Sequence, residues 1–226
     1  GSNFQVTLIG SEDSGETWSS GIDIWSGSTS TYRATRNSLY IWKEDLFIFV
    51  DCESNNNYYK RLRWKKESVE NWTKIGEASM NIFSQDHIYD FSIASDESYM
   101  FLGYVRTSKI SGYFARYDGD SWSTPKKVVQ NGKCSKVDML TCKSDNKTKI
   151  LYFYSRRYYP GYATGYAYQI SSTDNGTTWS SSKVVMDDQT DYLGLSAQNV
   201  NGTLLLFSNR YGNDEIEIVI SRNAGS

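Results

Sequence analysis

Arginines recur at matching places along this chain, and arginine is the side chain best shaped to hold a carboxylate. Arg106 in "VRTSKISG", the pair Arg156 and Arg157 in "SRRYYPGYATG", and Arg210 in "SNRYGND" each follow an apolar run, and Arg33 and Arg36 stand in "YRATR". A guanidinium donates two parallel N–H bonds to a carboxylate, so several of them converging suit an acidic sugar. Tyr158 and Tyr159 adjoin one of these arginines, and tyrosine rings stack on pyranose faces while their hydroxyls bond outward. Hydrolysis by carboxylates with retention needs two of them about 5 Å apart; Asp51, Asp90 and Asp138 are the candidates by position. The competing reading makes each arginine a solvated cap at a strand end and each tyrosine a packing residue between sheets.

Several other chemistries find no support. A single histidine, His87, excludes a multi-histidine zinc site and argues against a Ser-His-Asp triad. No glycine-rich phosphate loop and no calcium-loop pattern occurs, so neither cofactor nor metal is expected. A net charge of −2 gives no basic field for nucleic acid or an anionic membrane, and "KRLRWKKE" and "PKK" read as solvated strand faces. No apolar run approaches the roughly 18 residues that cross a bilayer. The expected partner is a glycan or glycoconjugate, and the oligomeric state stays open.

Cys52, Cys134 and Cys142 allow one disulfide at most, and buried thiols are preferred over a Cys134–Cys142 bridge. Four Asn-x-Ser/Thr sequons, at Asn71, Asn146, Asn175 and Asn201, fit an extracellular or cell-surface protein. Gly1-Ser2 reads as a vector remnant, which leaves room for a removed leader.

The elements that must carry these residues are strands. Tyrosine is abundant (18), aromatics reach 15%, Gly is common (17) and Pro nearly absent (2), a composition of short strands and tight turns. One phrase is spelled twice. "SEDSGETW" contains Ser11, Asp13, Gly15 and Trp18, and "SSTDNGTTW" contains Ser172, Asp174, Gly176 and Trp179, both reading Ser-x-Asp-x-Gly-x-Thr-Trp. Weaker relatives are "KKESVENWTKIG" with Trp72, "RYDGDSWSTPKKV" with Asp118 and Trp122, and a final "SRNAGS" at 221–226. The tryptophans at 18, 72, 122 and 179 are thus 54, 50 and 57 residues apart.

Each period has the same grammar: a weak opening strand ("YDFSIAS"), an apolar strand ("YMFLGYV"), an alternating strand ("GYFARY"), the tryptophan phrase, and a short exit strand ("KKVV"). No helical periodicity of any length is present. Four-stranded units of this period predict an all-β propeller of antiparallel blades, preferred over a long β-sandwich. The expected division is one domain over residues 1–226, with a partial blade at 3–27, blades at about 28–79, 80–130 and 131–186, and a partial blade at 187–226. Such a chain closes as four to five blades or is part of a larger propeller.

The phrase resembles the Asp-box, or bacterial neuraminidase repeat, and the chain is similar to the sialidase-like β-propeller family over essentially its whole length. The resemblance implies that the box is a structural hairpin between the third and fourth strands of a blade, far from the ligand face. Asp13 and Asp174 are therefore not expected to be catalytic acids. It implies part of a six-bladed propeller in which an arginine triad holds the carboxylate of sialic acid, so Arg33, Arg36, Arg106, Arg157, Arg210 and Tyr158 become substrate-binding candidates. It implies a sialidase-like exo-glycosidase; Asp51 is the candidate acid/base and Tyr159 the candidate nucleophile, whereas the family's tyrosine lies beyond its final Asp-box. The departures are concrete. "YRATR" lacks the family's Ile-Pro after its arginine, "DCESNNNYY" carries asparagines where the acid/base Asp is sought, and Arg210 stands where the family has Pro. A non-catalytic carbohydrate- or protein-binding propeller module is the alternative.

Overall fold

The structure is a computed structural model that describes residues 3–28, 33–53, 58–66, 72–79, 88–106, 110–130, 134–155, 166–187, 192–210 and 216–221. Among these residues the chain forms seventeen strands and no helix, and every paired strand runs antiparallel to its neighbour. Two compact units result, Gly1–Gln85 and Asp86–Ser226.

The first unit holds a hairpin of β1 (Asn3–Leu8) and β2 (Ile22–Ser28), then a four-stranded meander of β3 (Arg33–Trp42), β4 (Asp45–Glu53), β5 (Tyr58–Lys66) and β6 (Trp72–Ser79). The second holds two such meanders: β7 (Ile88–Ser95), β8 (Met100–Arg106), β9 (Ser111–Tyr117) and β10 (Lys126–Val129), then β11 (Lys136–Ser144), β12 (Lys147–Ser155), β13 (Tyr166–Ser172) and β14 (Lys183–Asp187). A three-stranded sheet of β15 (Tyr192–Val200), β16 (Thr203–Arg210) and β17 (Ile216–Ser221) closes the order.

The apolar second strand of each meander is continuous because it is buried on both faces. In β8 every residue from Met100 to Val105 is buried, and β12 is buried from Ile150 to Ser155. In the second unit the β11–β14 sheet packs one face on the preceding sheet and the other on the following one. Phe101, Val105 and Phe114 meet Ile150, Tyr152 and Ile170 across the first interface. Leu151, Phe153 and Ala167 meet Leu204 and Leu206 across the second. The first two strands of three sheets are joined by two-residue turns with left-handed backbone at both positions: Lys43-Glu44, Asp145-Asn146 and Asn201-Gly202. That geometry matches the right-handed twist of the strands it joins.

The repeated phrase folds into one turn twice. Ser11 Oγ donates to Asp13 at 2.8 Å and accepts from Gly15 N–H at 2.8 Å, while Asp13 accepts from Thr17 N–H (2.8 Å) and Thr17 Oγ1 (2.5 Å). Ser172, Asp174, Gly176 and Thr178 repeat the set at 2.7, 2.9, 2.8 and 2.5 Å. Gly15 and Gly176 hold φ of 97° and 82°, the left-handed region that glycine occupies without steric cost. In the weaker relative, Asp118 accepts from Asp120 and Ser121 N–H, both at 2.9 Å.

A serine after three of the four tryptophans, Trp18, Trp122 and Trp179, closes the hairpin. Ser19, Ser123 and Ser180 accept the N–H of Gly10, Arg116 and Ser171 on their hydroxyls and return their own N–H to the same residue's carbonyl. The indole of Trp179 packs edge-on to Phe114 of the preceding sheet, with centroids 5.0 Å apart, and lies 5.9 Å from Tyr152. Trp18, with no preceding sheet in its unit, is 61% exposed. Trp179 is thus a contact between sheets, whereas Trp122 lies 5.2 Å from Tyr117 of its own sheet.

The Thr17 hydroxyl first, then its N–H, lowers the pKa of Asp13 to about 2, and Thr178 does the same for Asp174. A lowered carboxylate pKa stabilises the fold above the unfolded value of 3.8 and loses that contribution as pH falls toward 2. Thermal melts between pH 5 and pH 2 are expected to show a fall in Tm that Asp174→Asn flattens. An unchanged pH slope in that variant would remove the turn carboxylate from the account.

Candidate functional site

Arg106 and Arg210 stand where second strands end, the end of their sheets opposite the repeated turns. Arg106 closes β8 and pairs in register with Ile88 of β7 and Ser111 of β9. Its guanidinium lies 4.2 Å from the centre of the Tyr113 ring and 6.0 Å from that of Tyr104. The two rings are themselves stacked, 5.4 Å apart at 18°. Both tyrosines are buried and Arg106 is half-buried, so the cation rests on a fixed aromatic platform. Such a contact contributes roughly 0.5–2 kcal/mol and orients the guanidinium fork.

The same platform recurs one sheet on. Tyr154 and Tyr168 are cross-strand partners, stacked 5.2 Å apart at 15°. Gly103, Phe153 and Phe207 hold matching register positions, opposite Phe114, Gln169 and Ile218. Three residues on from each, the sequence has Arg106, Arg156 and Arg210. By residue count Arg156 is in step with Arg106 and Arg210, and it lies outside the described residues. The paired tyrosines flanking the loop in "GYVRTSKISGY" are the signal that points to the platform.

Lys136, at the start of β11, stands 4.0 Å from Asp90, and next to it the hydroxyls of Ser135 and Ser155 lie 3.0 Å apart. Neither Lys136 nor the serine pair stands out in the sequence.

The two inner-strand carboxylates of this unit are engaged in backbone bonds. β7, β11 and β15 are edge strands of their sheets, and side chains of one satisfy the edge of the next. Asp90 accepts Val137 N–H at 3.0 Å, and Ser92 Oγ accepts Met139 N–H at 3.0 Å. Asp138 accepts Met139 N–H at 2.8 Å on one oxygen and Ala197 N–H at 2.6 Å on the other, and also accepts a short bond from Ser92. Burial is the main cause that raises the pKa of Asp138, against the opposing pull of these three donors. Both groups serve here as ties between sheet edges, which is how native proteins blunt unpaired strand edges.

Other candidates are placed by backbone alone. Asp51 lies within β4, opposite Arg36 and Tyr59, rather than in the loop after it. Arg33 and Arg36 belong to β3 itself, the first strand of its meander rather than a segment ahead of it, and Arg210 ends β16. Trp72 opens β6. His87, Arg157, Tyr158 and Tyr159 lie outside the described residues. Cys134 and Cys142 are free buried thiols, so the bridge between them does not form; burial, the largest cause, raises the pKa of both.

No protein-family model matches the sequence, and no curated protein does. Solved structures do match in fold. The sialidase of Trypanosoma rangeli in complex with the inhibitor DANA aligns with a TM-score of 0.60 at 10% identity, over 99% of this chain and 42% of that one. The same sialidase in complex with sialic acid gives 0.56 at 12% identity, over 99% and 41%. A neuraminidase-like protein of A/little yellow-shouldered bat/Guatemala gives 0.53 at 7% identity, over 85% and 59%. This chain spans about two-fifths of the length of the trypanosomal enzyme. Its antiparallel sheets have a sialidase-like fold.

Proposed function

We propose that the chain is a sialidase-like glycoside hydrolase, or the propeller portion of one, acting on a terminal acidic sugar of glycans at its arginine-bearing end. The observation that carries this reading is Arg106, a guanidinium 4.2 Å from the centre of the Tyr113 ring, at a place in the sequence where the matching segments also carry arginine. A fixed fork of N–H donors is what bidentate capture of a sugar carboxylate requires. In this reading the sheets are blades with Asp-box turns, bounded at about 28–79, 80–130 and 131–186, with partial blades at 3–27 and 187–226. Arg33, Arg36, Arg157, Arg210 and Tyr158 are substrate-binding candidates alongside Arg106, with Asp51 the candidate acid/base and Tyr159 the candidate nucleophile. The protein acts outside the cell or on its surface.

One observation favours a second reading, a non-catalytic module that binds glycans or proteins. Asp90 and Asp138, the inner-strand carboxylates nearest that end of the second unit, bond backbone N–H groups of neighbouring strands. A fluorogenic sialoside separates the two. Hydrolysis by the full chain, abolished by Arg106→Ala and by Tyr159→Phe, supports the hydrolase; absence of turnover together with retained sialoside binding supports the module.

A further inference from the structure

An asparagine followed by glycine is open to attack of the next backbone nitrogen on its own side-chain amide, because glycine sets no side chain beside that nitrogen. The chain spells the pair at Asn131-Gly132, Asn175-Gly176 and Asn201-Gly202. The first lies outside the described residues. The other two share a backbone conformation: the asparagines hold φ of 56° and 50°, and both glycines hold φ of 82°. Their surroundings differ.

Gly176 is buried, and its N–H donates to the Ser172 hydroxyl at 2.9 Å. A Cβ there would run into the Phe114 ring. The turn is held further by Thr178, whose N–H and hydroxyl donate to Asp174, and by Lys126, which donates to the Thr177 carbonyl. Swinging the Gly176 nitrogen onto the Asn175 side chain requires that whole turn to open. Gly202 sits in the open. Residues 199–202 are exposed, an added Cβ on Gly202 meets nothing within 4 Å, and the Gly202 N–H donates to Asn199 Oδ1 at 3.0 Å in a solvent-exposed bond.

We infer that Asn201 is a self-modification site, where the chain turns an amide into a carboxylate with water as the only co-reactant. The Gly202 nitrogen attacks Cγ of Asn201 and closes a cyclic imide. The Cγ–Nδ2 bond breaks, and ammonia leaves with the proton that the Gly202 nitrogen gives up. Water then opens the ring at either carbonyl, which leaves aspartate or isoaspartate at position 201. Both products add one negative charge to the turn between β15 and β16. Isoaspartate also lengthens the main chain by one carbon between Val200 and Thr203, the pair that begins the register of these strands. Turn geometry fixes hairpin register, so this product loosens the first hairpin of the final sheet. The Asn199 bond is the brake, since it holds the attacking nitrogen away from Asn201.

Peptide mapping by mass spectrometry after incubation at about pH 8 tests the site. In the folded protein Asn201 is expected to convert at least about tenfold faster than Asn175, where attack must wait for local opening. In denaturing urea the two sites should react at similar rates. Asn199→Ala should speed conversion at Asn201 and leave Asn175 unchanged. The isoaspartate form, separated by ion exchange, should melt roughly 3 °C or more below the unmodified chain. Equal rates at the two sites in the folded protein overturn the inference, as does a difference that persists in urea. An Asn199→Ala variant no faster than the parent removes the brake, and an unchanged Tm removes the loosening of the hairpin.

Discussion

Asp138→Ala is expected to destabilise the second unit by about 3–5 kcal/mol, lowering its Tm by roughly 10 °C. Its carboxylate accepts the edge N–H groups of Met139 and Ala197 and the hydroxyl of Ser92, and so joins three sheets through one side chain. Alanine removes the acceptor of the Ala197 N–H and the Ser92 hydroxyl, while Met139 N–H keeps Ser92 Oγ; each unsatisfied group costs about 1–3 kcal/mol. Asparagine keeps the shape but turns an NH₂ toward one donor, so Asp138→Asn should recover less than half. The pH dependence has the opposite sign to that of the turn aspartates. Burial raises the pKa of Asp138 above 3.8, so its proton-linked contribution is full below pH 3.8 and is lost as pH rises through the raised value. Circular-dichroism melts of the three proteins across pH 3–7 check both size and sign. A loss under 1 kcal/mol for alanine would mean that the edges are held by apolar packing alone.

Gly176→Ala is the second large effect. The glycine has φ of 82°, and a Cβ there would be driven into the Phe114 ring of the neighbouring sheet. Left-handed strain costs about 1 kcal/mol and the overlap adds about 1–3 kcal/mol, for roughly 3 kcal/mol in all. Gly202 is the control, with the same φ of 82° and nothing within 4 Å of an added Cβ, so Gly202→Ala should cost only about 1 kcal/mol. Urea unfolding of both variants measures the difference. Equal costs would show that the turn does not press on Phe114 in solution.

The contrast between these sites shows what a sequence displays and what it hides. The meander order is legible because the tryptophan phrase marks the same turn each time, and because doubly buried second strands such as "MFLGYV" form continuous apolar runs. The structural use of Asp13 and Asp174 is legible too, since serine, glycine and threonine stand at the spacings their carboxylates need. The tie made by Asp138 is not. Its donors Ser92 and Ala197 lie 46 and 59 residues away, and nothing in "KVDMLTC" separates a tie from a catalytic acid. Trp18 and Trp179 share a phrase but differ in cover, because cover depends on a sheet formed elsewhere in the chain. At the candidate site, the recurrence of arginine is legible, whereas its Tyr104–Tyr113 platform depends on cross-strand register.

Calorimetric titration of the protein with sialyllactose, and with lactose as the neutral control, tests the functional claim most directly. Saturable binding of sialyllactose, absent for lactose and weakened at least about tenfold by Arg106→Ala through loss of a charge-assisted pair, is the predicted result. Equal binding of the two sugars, or sialyllactose affinity unchanged in a folded Arg106→Ala variant, would contradict it.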